Sequence, residues 1–152
     1  MGISFNGKRW QNKKSLPYIL IFLGSIPFVF FSFLRIISLE EFFYLDINYI
    51  LSIYSLSIIS FICGSHWGLF LTNNTLKINL FFLSNLLTIS SFFGILFLKM
   101  NYFFLLQILI FIILLLIDFH IYRQNITQLK YIYSRVIITI LVVLCLIIPV
   151  II

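Results

Sequence analysis

Five apolar stretches, each about as long as a bilayer is thick, constrain this chain more than any other feature. A helix needs roughly 20 mostly apolar residues to cross the ~30 Å hydrocarbon core. Such stretches fall at about 16–34, 47–71, 78–98, 102–121 and 133–152, separated by short polar breaks. Barrel strands would be shorter and would alternate polar with apolar residues, and no such alternation runs through the chain. With 62% hydrophobic and only 9% charged residues, the chain lacks the material for a watery surface, since soluble domains carry about 25% charged residues. A soluble globular domain, a disordered tail and a disulfide-stapled secreted module are therefore excluded. The expected architecture is all-α: a single membrane domain over 1–152, built as a five-helix transmembrane bundle.

The first stretch is too long for the h-region of a cleaved signal peptide, and no small-x-small cleavage site follows it, so it reads as a permanent span. Pro27 inside it is expected to kink the helix, with a neighbour satisfying the freed carbonyl.

Cations set the expected orientation. Lys8, Arg9, Lys13 and Lys14 precede the first span, Lys77 separates the second from the third, and Arg123, Lys130 and Arg135 flank the junction of the fourth and fifth. The other side holds only Arg35 and Lys99, with Glu40, Glu41 and Asp46. The positive-inside rule then puts the N-terminus inside and the C-terminus outside. Reporter fusions after Lys14, Lys99 and Ile152 should read inside, outside and outside; a C-terminus that reads inside would overturn the map. The net charge of +6 is thereby explained as membrane orientation, with no nucleic-acid partner implied.

The chain contains no alanine, so close helix approach must rely on Gly, Ser and Thr. Ser60, Gly64 and Gly68 recur every fourth residue of the second span, and this stripe is expected to pack against another helix. The same segment carries His66 and Trp67. Trp67 suits the interfacial aromatic belt, whereas a histidine inside a span faces the bundle and needs a partner. Asp118 lies near the end of the fourth span. Tyr131, Arg135 and Thr139 form an i, i+4, i+8 stripe at the start of the fifth. Chain direction puts His66, Asp118 and Arg135 at one membrane level, so His66 is expected within reach of Asp118 or Arg135. Asn85 could extend the polar patch from the third span.

No GxSxG, HExxH, GxxxxGK[ST] or GxGxxG motif is present, so no catalytic residue is assigned. Cys63 and Cys145 sit in apolar runs without a metal spacing and read as small buried hydrophobes. No metal site and no cofactor are expected. A haem held by His66 and His120 is disfavoured because His120 looks interfacial, and no second acid stands near the midplane for a proton relay.

Taken together, Leu23-Gly24-Ser25-Ile26-Pro27-Phe28, Gly64-Ser65-His66-Trp67-Gly68, Asp118 and the Tyr131/Arg135/Thr139 stripe resemble the DUF3429 family of small multi-pass proteins, related to the mitochondrial transmembrane protein 69. The sequence departs from that family in having Cys63 where a glycine is usual, and Ile or Leu in place of many alanines. The resemblance implies a bacterial or mitochondrial inner membrane and carries no activity with it. Two functions remain in competition. One is a small non-catalytic accessory subunit or assembly factor, whose partners are the bilayer and other membrane-protein subunits. The other is a binding or transport module for a quinone, lipid or haem at the cluster of His66, Trp67, Asp118, Tyr131 and Arg135.

Overall fold

A computed structural model of the chain describes residues 16–37, 46–73 and 79–151. Lys8, Arg9, Lys13, Lys14, Glu40, Glu41 and Lys77, which set the expected orientation, lie outside the described residues. Among the described residues six helices follow in order: α1 (Leu16–Leu23), α2 (Ile26–Ile36), α3 (Ile47–Thr72), α4 (Leu80–Phe97), α5 (Met100–Arg123) and α6 (Leu129–Ile151). Five stretches are long and apolar enough to cross a membrane, the first being formed by α1 and α2 together. The chain is a multi-pass membrane protein.

The helix boundaries have local causes. The Asp46 carboxylate accepts from the Tyr49 N–H at 3.0 Å to start α3, and the Asn79 side chain accepts from the Phe82 N–H at 3.1 Å to start α4. Between α5 and α6 the chain turns at Asn125, whose φ of 59° is left-handed and suits asparagine. The fifth span begins earlier than expected, at Leu129, because the Gln128 carbonyl already accepts from the Tyr131 and Ile132 N–H groups. This extra turn brings Tyr131 into the helix.

The first span is broken at Gly24 and Ser25, and Pro27 sits in the first turn of α2, where a missing N–H is harmless. The expected smooth kink is thus a break between two helices. The half-buried Gly24 carbonyl is satisfied by the Tyr54 hydroxyl of α3, which donates to it at 2.9 Å.

The helices close a ring. α3 packs on α4, α4 on α5, α5 on α6, α6 on α2, and α2 on α3, while α3 also meets α5 across the middle. Phe28, fully buried, sits among Tyr54 and Phe111 in edge-to-face contact, with ring centroids 5.0 and 6.0 Å away. α1 departs from the ring: it leans on α6. The break therefore parts α1 from the path of α2, and a gap is left beside α3.

Candidate functional site

Three helices deliver polar groups to one level. α3 and α5 finish, and α6 begins, at the same end of the bundle. At 1.5 Å per residue, His66 lies about 9 Å before the end of α3, Asp118 about 7.5 Å before the end of α5 and Arg135 about 9 Å after the start of α6. His66 is 0% exposed, Asp118 1% and Arg135 6%. Such burial of ionisable groups demands partners.

Asp118 is the hub. Its Oδ2 accepts from Arg135 Nε at 2.7 Å, and its Oδ1 accepts from His66 Nε2 at 2.9 Å. The Tyr131 hydroxyl adds a long bond to Oδ1 at 3.4 Å. Because a carboxylate only accepts, the His66 proton resides on Nε2. Two atoms of this cluster are buried without a hydrogen-bond partner, His66 Nδ1 and Arg135 Nη2. A bare ring nitrogen is a lone pair and tolerates that. An arginine N–H₂ without an acceptor is a costlier omission.

Beside the cluster, in the gap left by α1, lies a groove of about 450 Å³. Leu20 and Gly24 form one wall, Phe61 and Ser65 of α3 the other, and α6 the floor. Leu20 and Phe61, which line it, are 57% and 75% exposed. The floor is graded. Arg135, Thr139 and Val142 line it about 9, 15 and 20 Å from the start of α6, taking 1.5 Å per residue. Charge thus gives way to a hydroxyl and then to hydrocarbon. Phe28 and Phe111 close its apolar end.

The structure brings together His66, Asp118, Tyr131 and Arg135. Trp67 stands apart: it is 39% exposed and meets Phe81 of α4 edge-on at 5.2 Å. Asn85 is exposed and does not reach the polar cluster. His120 is exposed too, hydrogen-bonded to Gln124 at 2.7 Å. The Ser60/Gly64/Gly68 stripe requires correction. A Cβ placed on Gly64 or Gly68 would meet nothing within 4 Å, both glycines are exposed, and the Ser60 hydroxyl bonds only its own helix, at Leu56 O, 2.9 Å away. The reason is rotational. His66 is two residues from each glycine, about 200° around a helix of 3.6 residues per turn, so burying the histidine turns both glycines outward.

One polar pair escaped the sequence reading. Gln107 and Ser91, both 0% exposed, exchange hydrogen bonds of 2.8 and 3.2 Å near the opposite end of the bundle. An amide inside an apolar span is itself a signal for such a partner. Among the described residues no group of His, Cys, Asp and Glu could hold a metal ion.

The model of one family, described as a protein of unknown function (DUF3429), matches residues 13–151. No curated protein and no solved structure matches the chain.

Proposed function

The chain belongs to the DUF3429 family, and from that premise we propose that it is a small non-catalytic inner-membrane protein that holds a lipophilic molecule in the groove between α1 and α3. One observation carries the reading. A cavity of ligand size has apolar walls and, at one end only, a buried arginine with an unsatisfied nitrogen. Its gradient from Arg135 to Val142 suits an amphiphile that enters sideways from the bilayer, with its polar end toward Arg135 and Tyr131 and its tail toward Phe28 and Phe111. Asp118 and His66 act through Arg135: Asp118 holds its Nε side, His66 holds Asp118, and the rest of the guanidinium is left for the guest.

Ser65→Trp tests this without touching the ion pair. Ser65 lines the groove, and its hydroxyl bonds only Ile62 O of its own helix, at 2.7 Å. After purification in mild detergent, solvent extraction and mass spectrometry of the wild type should recover one lipophilic species at near-stoichiometric amount. Ser65→Trp should fold with unchanged melting temperature and carry far less of it. Equal lipid content in the two proteins would overturn the reading.

A second reading, an accessory subunit or assembly factor, draws on the outward Gly64 and Gly68 of the stripe. Small residues on a lipid-facing helix surface are what close packing with another chain's helix requires. The two readings use different faces of α3 and are compatible.

A further inference from the structure

The charge balance at the head of the groove restricts what can lie there. Among the described residues Arg135 is the only charged side chain in the groove wall, and it is already paired with Asp118, one against one. The third member, His66, donates from Nε2, while its Nδ1 is buried with no acceptor nearby. A second proton on that ring would become a buried donor with nothing to bond, so the geometry is that of a neutral imidazole. Elsewhere around the cluster, α1 and α4 carry no charged residue, and Lys130, His120 and Arg123 are exposed. Among the described residues the cluster is therefore neutral.

His66, with its unpaired Nδ1 lone pair, does not line the groove, and what the members that do line it have to offer a guest is donors. Arg135 Nη2 is a donor without a partner, Tyr131 contributes a hydroxyl held only by a 3.4 Å bond, and Thr139 adds another hydroxyl to the floor. An amphiphile with an anionic head would satisfy these donors but bring an uncompensated negative charge into low dielectric, close to the Asp118 carboxylate. An uncharged oxygen acceptor satisfies them with no such cost. Building on the groove reading above, we propose that the guest's head is a neutral carbonyl, as in a long-chain ketone, ester or quinone, and that the Asp118–Arg135–His66 unit discriminates against carboxylate, phosphate and sulfonate heads.

The test uses three probes with the same tetradecyl tail: 2-hexadecanone, tetradecane-1-sulfonate and tetradecane. Each is titrated into the full-length protein in phosphatidylcholine nanodiscs, with empty nanodiscs as reference and Ser65→Trp as the blocked-groove control. The ketone should bind at least about tenfold more tightly than either other probe, and Ser65→Trp should abolish the difference. Asp118→Asn, which removes the negative charge beside Arg135, should shift the preference toward the sulfonate. If the sulfonate binds the wild type as tightly as the ketone, the neutral-head inference is overturned while the groove reading stands. If no probe is weakened by Ser65→Trp, both fall. Should Asp118→Asn fail to fold, the wild-type comparison alone decides the inference.

Discussion

Arg135→Gln should cost the protein about 3–5 kcal/mol, because it leaves the Asp118 carboxylate buried with no counter-charge. Asp118→Asn should cost a similar amount for the mirrored reason. It strands the guanidinium and also leaves one amide oxygen to serve the three donors that two carboxylate oxygens now serve. The double variant should cost clearly less than the sum, since neither half of the pair is then left charged and alone. Equilibrium unfolding of the four proteins in mixed micelles measures the cycle. Costs that simply add would mean that each charge finds water on its own, and the cluster would then hold neither itself nor a guest in place. Helix-insertion scales put an isolated charge at the bilayer centre at about 2.5–3.5 kcal/mol. A net cost near zero for either single change is thus incompatible with the geometry described.

How much of this is legible in the sequence depends on whether a property varies along a helix or around it. Depth runs along the chain, so counting residues from the span ends already put His66, Asp118 and Arg135 at one level. The Asp118 hub with donors 2.7 and 2.9 Å away follows from that level plus the need of buried charges for partners. Rotation is different. Hydrophobicity all round a membrane helix erases the amphipathic stripe that would reveal its inner face, and α3 is apolar on every side. The glycine stripe and His66 were both expected to face protein, yet they stand about 200° apart at 3.6 residues per turn. Helix geometry alone excludes burying both against one neighbour. The histidine prevails because an unpartnered ring in hydrocarbon costs more than an exposed glycine. The groove was not legible at all. It arises from the break at Gly24 and Ser25, which a proline in the first turn of α2 signals only as a kink, and from the way α1 then leans on α6.

The same rotational logic relocates the glycine on which this bundle's packing depends, and it sets two substitutions against each other. Gly94, buried near the end of α4, is the position where a Cβ would lie 2.5 Å from Leu106 Cδ2 and 3.3 Å from Phe103 Cδ2 of α5. Leu98 and Lys99 alone separate the two helices, so the pair has little freedom to splay. Gly94→Leu should force those side chains off their rotamers and cost about 1–3 kcal/mol or more. Gly68→Leu, with open space around the added side chain, should stay within about 0.5 kcal/mol of the wild type. Unfolding in mixed micelles separates them, and a stable Gly94→Leu beside an unfolded Gly68→Leu would reverse the assignment of faces on both helices. Gly68→Leu has a further use. It leaves the isolated bundle intact but fills the outward stripe of α3, so a loss of co-purifying partner subunits in that variant alone would credit the second reading. Unchanged assembly would leave the stripe facing lipid, and the groove on the other side of Phe61 as the feature of α3 that function has to explain.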